Sequence, residues 1–358
     1  MSAGARAARL AVWLHQRLRA VVDRLAPPEL LLAERITGVT RTAVAGALVS
    51  SGLVERLDDT PRSARELVGD GVLEHDAADR ILRGAAAIGL LERNEAGFRS
   101  NRLTRALQPD GPRSLGALAD WFASESNLRA WSRFLEAVRV GDVPFRRAHG
   151  RGVWEHLASS EEEGARFARA MDALTRLDAR AVVETPGFSG LVGLCDVAGG
   201  TGALLEAALL AHPRLEGVLV DAPGVVRLAR RRFERSGLLG RVRFEPADVF
   251  ARVPEGLPAY VLKDVLHDWD DPRALTLLEV VRRAMPTGAR LLLVELLLEE
   301  GPVHALASLV DLQMLAVTDG GRQRSVGELS SLLRQAGFGP PAVHRTRTAS
   351  SVLVSEAV

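Results

Sequence analysis

The chain has 358 residues, 47% of them apolar and 25% charged, with a formal net charge of +1 and a single cysteine. That length accommodates two domains with separate cores, and so even a charge balance argues against a dedicated nucleic-acid binder. One cysteine excludes an internal disulfide or a multi-cysteine metal site, and with no signal-like start and no apolar run near the ~18 residues of a membrane span, a soluble, cytoplasmic chain with no membrane partner and no metal is expected.

Residues 6–25 space apolar side chains helically, with Leu10, Trp13, Leu14, Leu18, Val21 and Val22 on one stripe. A terminal helix of this kind must bury its stripe, and a partner subunit is the expected cover. After Pro27-Pro28 come short helical stretches at 40–52, 63–67 and 76–89, each set off by Gly, Asp or Pro. Segment 89–100 runs apolar, turn, apolar and reads as a small hairpin. Helices followed by a hairpin in this order look like a winged helix-turn-helix. Longer helices are read at 114–140 and 161–180.

From about residue 190 strands and helices alternate. Strands are read at 191–197, 217–221, 241–246, 259–264 and 289–297, and helices at 202–211, 224–236, 272–284, 304–317 and 326–336. An edge strand is read at 352–354. This alternation implies an α/β fold, a mostly parallel, doubly wound sheet with its site at the carboxyl ends of the strands.

Leu194-Cys195-Asp196-Val197-Ala198-Gly199-Gly200-Thr201-Gly202 is a strand running into a glycine loop, and Cys195 inside it is a core residue. The glycines do not fall as G-x-G-x-x-G, and Asp196 puts negative charge where a pyrophosphate would sit. The pattern suits a nucleoside cofactor that carries an amino-acid moiety and no phosphate. Asp221 closes the next strand, where a carboxylate can accept from both ribose hydroxyls. Asp248, after the third strand, is placed to meet the adenine edge. Lys263, the only lysine in the chain, closes the fourth strand four residues before His267.

Most of the chain, residues 26–350, resembles the S-adenosylmethionine-dependent O-methyltransferases of the plant caffeate and bacterial hydroxyneurosporene type. The resemblance runs through DVAGGTG, LVDAPGVV, PADVF, LKDVLHDWDD, LLLVELLL, DLQMLAVTDGGRQRS and LLRQAGF, in the family's order and spacing. It implies a homodimer with an N-terminal, otherwise all-helical winged-helix domain (1–150) for dimerisation and substrate closure. A C-terminal Rossmann-like methyltransferase domain (151–358) then binds S-adenosylmethionine. Carried over by position, Asp196, Ala198, Gly199, Gly200, Asp221, Asp248, Val249 and Lys263 become cofactor contacts. The family usually has glycine where this chain has Ala198. Phe122, Phe167, Met171, Met314 and Asp268 align with the substrate pocket, a flat apolar slot with a carboxylate at one end.

Transfer of a sulfonium methyl to a hydroxyl leaves the enzyme to supply alignment and an oxyanion. A phenol near pKa ~10 is mostly protonated at neutral pH, so a base is useful. His267 is the candidate, and the family uses the matching histidine. Its orienting carboxylate is Glu295, a charge within the apolar run 291–298 that is costly unless paired. The family's second orienting glutamate is replaced here by Gln323, which can hydrogen-bond but supplies no charge. Two further readings stay open: the same scaffold using S-adenosylmethionine for hydroxylation, decarboxylation or a pericyclic step, and a DNA-binding regulator. The weak positive balance and the absence of a basic, polar recognition helix in 76–89 argue against the regulator. The expected partner is a small-molecule substrate.

Overall fold

Strands whose both faces are covered read as continuous apolar runs, and the four central ones here do. The sheet has seven strands in the order β5-β4-β3-β6-β7-β9-β8. These are β3 (Gly193–Val197), β4 (Glu216–Asp221), β5 (Val242–Pro246), β6 (Ala259–Lys263), β7 (Arg290–Glu295), β8 (Ala342–Arg345) and β9 (Ser351–Glu356). The pairs among β3 to β7 are parallel, and β9 runs antiparallel to both β7 and β8. The computed structural model describes residues 14, 17–18, 20–69, 73–109, 111, 113–298 and 304–358. Contacts divide these into two units, 14–129 with 165–174 and 130–164 with 175–358.

In the larger unit, chain order reverses between β3 and β6, so the two crossovers leave a crevice at the carboxyl ends of those strands. Register lines those ends up: Asp196 opposite Leu219, Asp221 opposite Pro246, Lys263 opposite Val294. One face buries Leu277, Leu278, Val281 and Leu333, and the other buries Leu205, Leu209, Leu219 and Phe233. Gly202, which opens the helix Ala203–Ala211, shows why that helix sits so close. Its φ is +83°, and a Cβ there would come within 2.5 Å of Phe233 Cε2.

Two sequence readings need correction. Residues 352–354 lie in β9, which is internal to the sheet; the edge strand is β8. Ala342-Val343-His344-Arg345 is half-exposed on both faces, so no alternation marks it. The single helix at 114–140 is three, Gly116–Phe122, Glu125–Ser132 and Phe134–Val140. The first break has a local cause: Ser124 Oγ accepts from Asn127 N at 3.3 Å, which caps a new helix start.

The smaller unit packs short helices and a hairpin, β1 (Glu92–Asn94) with β2 (Gly97–Arg99), around Leu48, Leu53, Leu67, Leu82, Leu91 and Phe98. Its helix Ala64–Val68 starts with a capping box, Ser63 with Glu66. Of the N-terminal stripe, Leu10 and Trp13 lie outside the described residues, while Leu14, Leu18, Val21 and Val22 are exposed in the single chain. No described helix is long and apolar enough to cross a membrane.

Candidate functional site

The glycine loop after β3 folds back on the end of β4. Gly199 N donates to Val220 O at 3.2 Å, and Gly200 N donates to Asp221 Oδ2 at 2.8 Å. Asp221 Oδ1 accepts from Ala222 N at 2.7 Å, so both carboxylate oxygens are oriented by backbone and keep free lone pairs. Burial raises the Asp221 pKa against those two N–H groups. Ala198 has φ +54°, in the left-handed region that costs an L-residue about 1–2 kcal/mol, which gives a physical reason for glycine there in the family.

Asp196 lies under this loop with 2% of its surface exposed, and a Cβ on Gly199 would meet its Cγ at 2.7 Å. Its Oδ2 has no partner among the described residues. Burial first, then repulsion from Asp221, pushes its pKa up to about 7, against the pull of Lys263. A buried, half-satisfied carboxylate beside a bare glycine backbone is costly alone. It fits a cofactor that brings a cationic N–H donor into the crevice, as the methionyl ammonium of S-adenosylmethionine does.

Ala247 N donates to Asp221 O at 3.0 Å, which seats the loop after β5 beside that carboxylate. Asp248 is exposed and caps its own loop by accepting from Phe250 N at 2.9 Å, with Val249 half-buried between them. Phe250 meets Trp269 edge to face at 4.7 Å, and the Arg273 guanidinium lies 4.1 Å from the Phe250 ring. Trp154 tilts against Trp269 at 5.7 Å. Sequence reasoning missed this aromatic wall, although Trp269 follows the His-Asp pair directly.

At the end of β6, Lys263 Nζ pairs with Asp264 and, at 3.4 Å, with Asp178 Oδ2. Burial lowers the lysine pKa, but Asp264 and Asp178 together more than offset it and hold the ammonium charged. Asp178, from the helix Glu161–Val183, was also missed; a lone aspartate in a long helix carries no signal. Its Oδ1 is buried without a partner among the described residues.

His267 sits on a 3-10 turn, Leu266–Asp268, just beyond β6. Its Nδ1 lies 2.8 Å from Oε2 of buried Glu295, at the end of β7, and its Nε2 lies 3.6 Å from Asp268 Oδ1. Burial disfavours the imidazolium, but Glu295, then Asp268 and Asp264, outweigh it and push the pKa up to about 10. Burial likewise pushes Asp268 up to about 7, so the cluster sheds its protons as a coupled set. Asp264, His267 and Glu295 present ligand atoms within 4.8 Å of one another. Lys263 beside Asp264 places a positive charge against any divalent cation there.

Gln323 is 1% exposed and its side-chain amide has no partner among the described residues, while its backbone N donates to Asp311 Oδ1 at 2.8 Å. Of the aligned pocket residues, Asp268 and half-buried Met314 belong to the larger unit. Phe122, Phe167 and Met171 belong to the smaller, where Phe167 packs edge-on against Trp121 at 5.1 Å.

Residues 131–339 match the family model of the O-methyltransferase domain. The chain is 39% identical to the O-demethylpuromycin-O-methyltransferase of Streptomyces alboniger, over 77% of this chain and 75% of that one. It is 31% identical to a phenazine O-methyltransferase of Lysobacter antibioticus, over 91% and 96% of the two chains. Among solved structures, an O-methyltransferase from neocarzinostatin biosynthesis, in complex with S-adenosylmethionine and 2-hydroxy-5-methyl naphthoic acid, superposes with a TM-score of 0.75. That match is 29% identical and covers 89% of this chain and 96% of the other.

Proposed function

The chain belongs to the S-adenosylmethionine-dependent O-methyltransferases, and from that premise we propose that it methylates a hydroxyl of an aromatic or enolic secondary metabolite, with His267 as general base. The observation that carries the base assignment is the 2.8 Å contact of His267 Nδ1 with buried Glu295. The relatives' names support the substrate class, since they include methyltransferases of a phenazine, of hydroxynaphthoates and of an aminohydroxybenzoate.

The cofactor's chemistry is a sulfonium-bound methyl already activated for displacement. Asp196 would accept from its ammonium, Asp221 from its ribose hydroxyls, and Asp248 and Val249 would meet the adenine; Ala198, Gly199 and Gly200 line the approach and Lys263 faces the same crevice. With Nδ1–H donated to Glu295, the neutral form of His267 presents its Nε2 lone pair to the substrate hydroxyl, and the ring reaches that form by giving up its second proton. A base near pKa 10 matches a phenol of pKa ~10, so the proton moves between them at little cost. Met314 and Asp268 would meet the substrate from the larger unit, with Asp268 at its polar end. Gln323 is proposed as a neutral orienting group.

Incubation with isotopically labelled S-adenosylmethionine and a panel of phenols and hydroxynaphthoates, with product masses measured, tests this reading. A gain of one methyl on oxygen is expected. A cofactor that binds while no panel member is methylated would overturn it in favour of non-methylating chemistry. Asp221→Ala is expected to weaken S-adenosylmethionine binding by about 1–3 kcal/mol, because it removes a charged acceptor. Unchanged affinity by calorimetry would rule out the ribose placement.

The proposal extends to a cytoplasmic homodimer in which residues 1–150 dimerise and close over substrate, through a winged helix, and 151–358 bind the cofactor. Its support is apolar surface left bare in one chain: Leu14, Leu18, Val21 and Val22 near the N-terminus, and Leu306, Leu309, Leu312 and Leu315 at every third position of the helix His304–Val317. Light scattering at micromolar concentration should give twice the chain mass, and a monomer would sink the dimer.

A further inference from the structure

The turn that carries His267 is irregular backbone, with Asp264 at φ +54° ahead of a single 3-10 turn. Its own backbone hydrogen bonds are Asp268 N to Val265 O at 3.1 Å and Trp269 N to Leu266 O at 3.3 Å, and a base must be held to within a fraction of an ångström. The segment 318–324 lies against it. Gly320 bridges Trp269 in antiparallel fashion, and Gly321 N donates to Thr318 Oγ1 at 3.0 Å. A Cβ on Gly321 would stand 2.5 Å from His267 O and 2.8 Å from the Asp268 carbonyl carbon, so the two backbones are in direct contact.

Arg324 ends this segment, and its side chain is 2% exposed. Its guanidinium donates to Leu266 O through Nη1 at 2.7 Å and to Trp269 O through Nη2 at 2.7 Å. Its Nε donates to Asp271 Oδ1 at 2.9 Å. The backbone of Arg324 is pinned as well, since its O accepts from Leu298 N at 3.0 Å, just beyond Glu295. Leu266 is therefore gripped at both ends: its N donates to Glu295 Oε1 at 3.0 Å and its O accepts from Arg324.

We infer that Arg324 is a positioning residue that clamps the carbonyls on either side of His267 and so holds the imidazole on Glu295. Only a planar fork with several donors spans two carbonyls and a carboxylate at once; a lysine ammonium reaches fewer of them. Among the described residues the buried guanidinium has one partly exposed counterion, Asp271, and the carbonyl dipoles supply further compensation. A slackened turn lengthens the His267–Glu295 contact, which weakens the attraction that holds the imidazole pKa high while leaving its burial penalty in place.

The inference rests on His267 being the base, and the test separates the two claims. Arg324→Met and Arg324→Lys are compared with wild type by turnover, by S-adenosylmethionine affinity and by the His267 imidazole pKa from NMR, its signal assigned with His267→Ala. Arg324→Met is expected to lower kcat by about 10²-fold, with cofactor affinity changed less than threefold and the His267 pKa moved down. Arg324→Lys should recover part of both kcat and pKa. An unmoved His267 pKa in a folded Arg324→Met protein overturns the clamp. Should that variant not fold, an unmoved pKa in Arg324→Lys does the same. A lowered pKa with wild-type turnover leaves the clamp standing and removes His267 as the base.

Discussion

His267→Ala is expected to lower turnover by about 10²–10⁴-fold while S-adenosylmethionine affinity stays nearly unchanged. The cofactor's proposed partners, Asp196 and Asp221, hang on β3 and β4; Asp221 is oriented by Gly200 N and Ala222 N, and Asp196 accepts from the backbone of Leu205. Removing an imidazole beyond β6 leaves those contacts alone. What is lost is the proton acceptor at the hydroxyl and nothing in the sulfonium electrophile, which is why the loss stops short of the full rate enhancement. A hydroxyl that ionises unaided would suffer least, so the size of the effect should grow with the substrate's pKa across a phenol series. Wild-type turnover in His267→Ala on the true substrate would remove the base assignment.

The fold is largely legible in the sequence because four strands, β3, β4, β6 and β7, are buried on both faces and therefore carry apolar runs, each with a charged residue at or next to its end. Asp196, Asp221, Lys263 and Glu295 stand out for that reason: a charge against a run such as Leu291-Leu292-Leu293-Val294 has no place in a core unless something meets it. β8 has no such run and goes unseen. Ser124, which splits the reading of one long helix into shorter ones, acts through a single side-chain hydrogen bond that spacing does not record.

Residues recruited from far along the chain are the hard ones. Asp178 reaches Lys263 from a helix that otherwise reads as amphipathic. Arg324 reaches Leu266 and Trp269 from a segment whose motif draws attention to its glycines and to Gln323. Neither pairing has a sequence period, since both are made only when the sheet's crossovers bring distant loops to one edge. Trp269 is different. It lies inside a motif read for its histidine and aspartates, and its aromatic neighbours come from elsewhere, Trp154 from the helix Val153–Ser159 and Phe250 from the loop after β5.

Glu295→Gln should be nearly as damaging as loss of the histidine, and its pH signature separates orientation from bulk. The amide keeps a shape close to the carboxylate, but it removes the leading attraction holding the His267 pKa at about 10 and leaves burial to pull it down. Each unit of fall adds about 1.4 kcal/mol to the proton transfer from the substrate but also raises the neutral fraction of the imidazole at pH 7, so the loss of rate comes chiefly from the lost orientation. In wild type the reactive pair holds one proton between imidazole and hydroxyl. The kcat/KM profile then rises through the substrate pKa and declines as His267 titrates near 10. In Glu295→Gln the limb set by His267 must move to lower pH. Stability follows the same sign: a raised histidine pKa stabilises the fold fully below the ordinary value of ~6.5, and that contribution drains away as pH climbs towards about 10. Thermal melts of Glu295→Gln should lack that decline. A His267-dependent limb that stays near 10 in this variant would mean that Glu295 neither charges nor orients the imidazole.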